Sequence, residues 1–184
     1  MRIAIAFLGL ALAACGGAPK DNYYTLTAPQ APTTSAANAM SVFVGPVLVP
    51  EGVDRAPMVL RLGPNQADVR DDHRWAEPLK HAIPRVVSEN LMRELATTRV
   101  SWSRLGSGQP ADFRVAIDVQ RFESSLEQGA AIDAAWTVTP AKGAPRSGRS
   151  SIQEPAPSRD PAGVAAAHSR ALARLAQEIA AAIK

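Results

Sequence analysis

The chain has 184 residues, of which 46% are hydrophobic and 20% charged, and a formal net charge of +3 at pH 7. That balance is ordinary for a globular domain and excludes both a disordered chain and a multispanning membrane protein. Basic and acidic residues are interspersed with no Lys/Arg run, so no stripe for nucleic acid is present; a solvated mixed surface is the plainer reading, and an arginine-leaning face toward anionic lipid headgroups the alternative.

The first segment is a processing signal. Arg2 precedes 12 continuously apolar residues, Ile3 to Ala14, well short of the ~20 that span a bilayer as a helix. Leu12-Ala13-Ala14 then places small residues before Cys15, the single cysteine of the chain. This is the form of a bacterial lipoprotein signal, with Leu12, Ala13 and Ala14 recognised by the peptidase, cleavage before Cys15, and the Cys15 thiol taking the lipid. The alternative is an ordinary secretory signal that ends beside a cysteine. Cleavage leaves residues 15–184, and the charge falls to +2 with the loss of Arg2. That length suits one domain plus a tether. With Cys15 acylated no thiol remains, which excludes disulfides, a cysteine nucleophile and a thiolate metal site.

The residues after Cys15 are small, polar and dotted with proline up to position 40, so 15–40 reads as a lipidated N-terminus and flexible tether and 41–184 as the domain. Tyr23-Tyr24-Thr25-Leu26 interrupts that texture and reads as an edge strand pinning the N-terminus, with a partner-docking strand as the alternative. Ser41 to Val49 is a β-rich run in which Gly45-Pro46 calls for a bulge or an edge. Val59-Leu60-Arg61 and Ala67-Asp68-Val69 flank Gly63-Pro64-Asn65 as a small hairpin. Trp75, Leu79, Ile83, Val86, Val87, Leu91 and Leu95 then recur at helical spacing. Pro78 suits the first turn, Pro84 would kink the helix or mark its true start, and Asp71-Asp72 would cap it.

Phe113, Val115, Ile117 and Val119 alternate with polar or small residues, and Ile132, Ala134, Trp136 and Val138 repeat the pattern. A long antiparallel pair joined near Gln128-Gly129 follows, with a bulge near Gln120 to bring Phe122 back onto the apolar face. A short strand fits Ser147 to Gln153 in the Pro/Gly/Ser/Arg-rich stretch. Asp160 caps the last helix with Pro161 at its first position, and Val164, Ala167, Ala171, Leu172, Leu175, Ile179, Ala182 and Ile183 form its buried stripe. A membrane-surface helix is the alternative for this segment. The expected fold is α+β, a single domain with a mainly antiparallel curved sheet and two principal helices packed on it.

No residue set points to catalysis. His73, His81 and His168 have no metal-ligand spacing and read as surface or helix-flank residues. No G-x-S-x-G elbow, phosphate loop or G-x-G-x-x-G is present, so neither a serine hydrolase nor a nucleotide site is supported. Trp75, Trp102 and Trp136 read first as core or interface anchors, with a lipid-binding groove as the alternative.

The Leu12–Cys15 lipobox, Tyr23-Tyr24-Thr25-Leu26, the β-rich run ending at Val49-Pro50, Asp54-Arg55 before Met58-Val59-Leu60-Arg61, and Trp75-Ala76-Glu77-Pro78-Leu79 together resemble the PqiC-like family. These are auxiliary lipoproteins of ABC-type, mammalian-cell-entry-domain lipid transport systems, and the match in order and spacing covers most of the first hundred residues. The resemblance implies a non-enzymatic α+β domain without cofactor beyond the covalent diacylglycerol and N-acyl lipid on Cys15. It implies lipid anchorage at the periplasmic face of the outer membrane, a mammalian-cell-entry-domain protein as partner, and ATP hydrolysis by a separate subunit. Gly16 after the lipidated cysteine resembles an outer-membrane address. A ring-like homo-oligomer would turn weak single contacts into strong multivalent ones. The rival readings are a lipoprotein pilot or assembly factor of another outer-membrane machine, and a periplasmic hydrolase built on a carboxylate or Ser/His pair, with Asp72 and His73 the residues that would reveal it.

Overall fold

The computed structural model describes residues 20–29, 39–103, 108 and 110–184. Among them run β1 (Asn22–Tyr24), β2 (Val42–Leu48), β3 (Pro57–Gly63), β4 (Gln66–Trp75), α1 (Leu79–Glu94), β5 (Val100–Ser101), β6 (Phe113–Ser125), β7 (Gly129–Pro140), β8 (Arg146–Glu154) and α2 (Pro161–Ile183). All eight strands belong to one sheet, and the two helices pack on it and on each other. The α+β expectation is borne out.

The long strand β6 is the hub. One edge pairs antiparallel with β7, which pairs antiparallel with β8. The opposite edge is shared, because β2 runs parallel to its first half and β3 meets it at Leu60↔Ser124. The β3–β4 hairpin carries β1 parallel to β4, and β5 adds parallel to β2. The sheet is therefore mixed: the long pairings are antiparallel as expected, but β1, β2 and β5 join parallel, and β3 is parallel to β6 where they meet. Alternation within a strand fixes which side chains face inward and carries no information about a neighbour's direction.

Alternation did fix the faces correctly. Val115, Ile117 and Val119 are buried on β6, opposite Val138, Trp136 and Ala134 of β7. The register then shifts between Val119 and Arg121, so that Gln120 is the extra residue and Phe122 returns to the buried face opposite Ile132. Without that bulge Phe122 would point to solvent and forfeit the burial of a large aromatic side chain. The β2 register shifts likewise between Val44 and Val47, where the Gly45–Pro46 peptide is cis.

Glycine is required at the β6–β7 turn. Gly129 has φ +84°, and a Cβ there would lie 2.1 Å from the Glu154 carbonyl oxygen. Gly129→Ala is expected to destabilise the fold by more than about 1 kcal/mol, from left-handed strain and collision with β8 together, measured as a lower midpoint in chemical denaturation.

Helix α1 differs from expectation at its start. Trp75 ends β4, with its N–H donating to the Ala56 carbonyl at 2.7 Å, and the helix begins only after Pro78, whose ψ of 137° is extended. The ring of Pro78 disfavours helical geometry for Glu77 before it, which separates Trp75 from the helix despite the four-residue spacing to Leu79. Asp71 and Asp72 lie within β4 and cap nothing; Asp54 performs that service, its Oδ1 accepting from the Lys80 N–H at 3.2 Å. Pro84 sits buried inside α1 without ending it. Helix α2 starts as expected, with Asp160 Oδ1 accepting from Gly163 N–H at 2.7 Å and Pro161 at the first position. Its stripe from Val164 to Ile183 is buried, with Ala182 partly so. The strand expected over Ser147 to Gln153 is β8.

Residues 22–28 lie against the domain. Beyond β1, Leu26 is 1% exposed and the Thr27 N–H donates to Ser169 Oγ of α2 at 3.1 Å. A good part of the stretch read as tether is thus built into the fold.

Candidate functional site

Most of the motif residues converge on one junction, where the N-terminal segment meets the domain. Pairing of β1 with β4 sets Tyr24 opposite Trp75, and the Ala76 N–H donates to the Tyr24 carbonyl at 2.8 Å. Leu26 enters the core two residues on, where Leu79 at the start of α1 is also fully buried. Arg85 of α1 clasps the segment from outside: its guanidinium donates to the Leu26 carbonyl at 2.9 Å and pairs with Glu77 and Glu89. The Trp75-Ala76-Glu77-Pro78-Leu79 motif therefore supplies a core aromatic, a backbone donor, a clasp carboxylate, a helix boundary and a core leucine. Arg55 and Arg61 lie apart from it. Arg55 is exposed in the turn before β3, and Arg61 sits on the outer face of the sheet, 2.7 Å from Glu123. Tyr23 is exposed on β1. Leu12, Ala13, Ala14 and Cys15 lie outside the described residues.

A polar chain also crosses the junction. The Tyr24 hydroxyl is 2.7 Å from His73 Nδ1, His73 Nε2 is 3.3 Å from Asp72, and Asp72 pairs with Arg70 at 3.3 Å. The order tyrosine, histidine, aspartate has the look of a relay, but the electrostatics oppose it. Burial, followed by the Asp160 and Asp72 charges, pushes the Tyr24 hydroxyl above its usual range, so it is a poorer nucleophile than a free phenol. The hydrogen bond from Arg70 holds Asp72 below the usual carboxylate range. What the chain does is join the side chains of β1 and β4.

His168 was expected at the surface or on a helix flank and is instead fully buried on α2. It lies four residues after Val164 and four before Leu172, squarely on the apolar stripe, and that spacing was the available sequence signal. Its ring stacks on Phe122 at 3.8 Å, meets Trp75 edge-on at 6.0 Å, and has Nε2 2.8 Å from Ser124 Oγ. A buried Ser/His pair is what a hydrolase would want, but no substrate can reach this one and Nδ1 has no partner to orient the ring as a base. Burial lowers the His168 pKa to about 3, so it is neutral in the folded chain.

That depression makes stability depend on pH. The unfolded chain protonates His168 near pH 6.5 and the folded chain only near pH 3. Its contribution is therefore complete above 6.5 and is lost as pH falls toward 3, at up to about 1.4 kcal/mol per pH unit. Denaturation midpoints taken between pH 7 and pH 4 are expected to fall less steeply in His168→Gln than in the parent. Gln keeps a donor for Ser124 without titrating.

Two of the surface clefts among the described residues are large. One of about 480 Å³ is mainly apolar, lined by Phe43, Pro46, Val47, Pro84 and Trp102, with Arg114 over the Phe43 ring at 5.1 Å. The other, of about 500 Å³, lies between the β3–β4 hairpin tip and the β6–β7 turn. Trp102 and Trp136 are both half-buried; Trp136 lies over Gly148 and donates to Ser150 Oγ at 2.9 Å, away from both clefts' apolar walls. Among the described residues no group of three His, Cys, Asp or Glu side chains comes together to hold a metal ion. No described helix is long and apolar enough to cross a membrane.

The domain is a small α+β unit that builds its own N-terminal segment into the sheet edge and the core. The chain belongs to the family of ABC-type transport auxiliary lipoprotein components, whose model matches residues 24–180. The PqiC-like resemblance read from the motifs is borne out at this level. A crystal structure of an uncharacterized protein superposes with a TM-score of 0.74 at 18% identity, covering 90% of this chain and 99% of that one. A second crystal structure, protein XCC0632 from Xanthomonas campestris in the DUF330 family, gives 0.63 at 22% identity over 86% and 92%. Both likenesses are of fold. A PelC dodecamer from Paraburkholderia phytofirmans gives only 0.39 at 10% identity, over 78% and 91%. No curated protein matches the chain significantly.

Proposed function

We propose that this chain is a non-catalytic lipoprotein of an intermembrane lipid transport system. It is anchored by acylated Cys15 at the periplasmic face of the outer membrane and docks a mammalian-cell-entry-domain protein there. The observation that carries the reading is the junction. Only six residues lie between Cys15 and Asn22, where the chain becomes part of the sheet, and the seven Cα–Cα steps from one to the other reach at most about 25 Å. A domain so closely leashed works at the membrane surface. The occluded Ser124–His168 pair and the raised Tyr24 hydroxyl favour a binding role over turnover, and ATP hydrolysis falls to another subunit of the system.

The test is to isolate the lipidated protein from crosslinked envelopes and identify what accompanies it. A mammalian-cell-entry-domain protein with its ATPase-linked permease supports the reading. Recovery of a different outer-membrane machine alone overturns it in favour of a pilot role.

A further inference from the structure

Four large apolar side chains are conspicuously exposed among the described residues: Tyr23 (62%), Leu48 (61%), Leu62 (60%) and Val69 (42%). Leu48, at the end of β2, lines a small cleft with Pro46 and Trp136. The other three belong to β1, β3 and β4, three neighbouring strands at one margin of the sheet. Tyr23, opposite Arg74, and Val69, opposite Val59, lie farther along the strands, so Leu62 is the one at the hairpin tip, and its exposure there calls for an explanation.

The direction of β1 supplies it. Because β1 runs parallel to β4, with Asn22 opposite His73, the N-terminal end of β1 points along β4 toward the first residue of that strand, Gln66, and the hairpin tip at Gly63-Pro64-Asn65. His73 is seven residues from Gln66 and Asn22 is seven residues from Cys15. The greatest reach of that leader along the strand direction therefore ends level with the tip. Leu62 stands at the tip. Across the cleft of about 500 Å³ stands the β6–β7 turn with Leu126, which belongs to the same end of the sheet because Ser124 of β6 adjoins Leu60 of β3. The opposite end carries the β7–β8 turn, with Lys142, beside the start of β6.

We infer that the β3–β4 hairpin tip is a membrane-contacting element, with Leu62 entering the interfacial layer of the bilayer that holds the anchor. The inference rests on the anchoring of Cys15 proposed above and adds an orientation to it. The occupant of this surface is a lipid bilayer. A leash this short brings the tip to the bilayer at high local concentration, so a small apolar contact suffices. Charge plays little part. Arg61 is paired with Glu123 and also donates to the Pro64 carbonyl at 2.9 Å, and Arg70 is paired with Asp68 and Asp72. The tip itself, Leu62 to Gln66, carries no charged side chain, and the acidic groups behind it, Glu123, Glu127, Asp68 and Asp72, outnumber Arg61 and Arg70.

The test uses the full acylated protein, in which the Cys15 sulfur is blocked as a thioether. Leu62→Cys then offers the sole free thiol for an environment-sensitive NBD fluorophore, and Lys142→Cys does the same at the far end. Each is reconstituted in vesicles of phosphatidylethanolamine and phosphatidylglycerol containing a doxyl-labelled lipid quencher. The expected result is blue-shifted, quenched emission at position 62 and water-like, unquenched emission at 142. Protein that floats with the vesicles but is quenched no more at 62 than at 142 overturns the inference and leaves the anchor standing. Protein that does not float, and whose Cys15 also takes the label, overturns both.

Discussion

Trp75→Ala is expected to lower stability by about 3–5 kcal/mol, seen as a lower urea midpoint with an unchanged slope. The side chain is 4% exposed, and its ring contacts Phe122 of β6 edge-on at 6.2 Å and His168 of α2 at 6.0 Å. It thus fills the space where β4, β6 and α2 meet. The cavity would also loosen the stack of His168 on Phe122, which shields the Ser124 hydrogen bond from water. Backbone pairing of β1 with β4 does not depend on the indole, so the loss is one of packing. A midpoint that hardly moves would return Trp75 to the role of a binding-surface aromatic.

Cys15→Ala is expected to abolish membrane retention. Each acyl methylene transferred to the bilayer contributes about 0.8 kcal/mol, so several chains hold the protein far more firmly than any contact made by a hairpin tip. Fractionation of envelopes should find the variant either soluble or as an unprocessed precursor, and mass spectrometry should find no acyl mass. Unchanged acylation and retention would refute the lipoprotein assignment. The two variants separate cleanly: the tryptophan is lost from the fold with the anchor intact, the cysteine from the anchor with the fold intact.

The fold was legible wherever a local pattern determined a local structure. The bulge at Gln120 followed from Phe122 being out of phase, and Asp160-Pro161 announced α2, because both are decided within a few residues. The parallel additions of β1, β2 and β5 were not legible, since strand direction depends on where distant segments land. Trp75 was placed correctly in the core and wrongly on the helix; a residue four before Leu79 fits the helical period by coincidence when the intervening Pro78 breaks it. Asp71-Asp72 misled for a similar reason. The cap on α1 comes from Asp54, which is close in space and distant in sequence. In the candidate site, the motif residues Tyr24, Leu26, Trp75, Pro78 and Leu79 were legible as a group, while their shared role in holding the N-terminal segment was not. It depends on Arg85 reaching back to the Leu26 carbonyl, a contact across 59 positions.

The parallel pairing of β1 with β4 also decides how the domain answers a pull. A pull on the N-terminal segment reaches the sheet through β1. Drawn along the strand axis, β1 must shear all its ladder bonds against β4 at once while Leu26 is dragged from the core and the Arg85 clasp is broken. Drawn sideways, the same three residues peel one after another. The junction is thus stiff against stretching of the leash and yielding to rotation about it, a swivel that resists extraction.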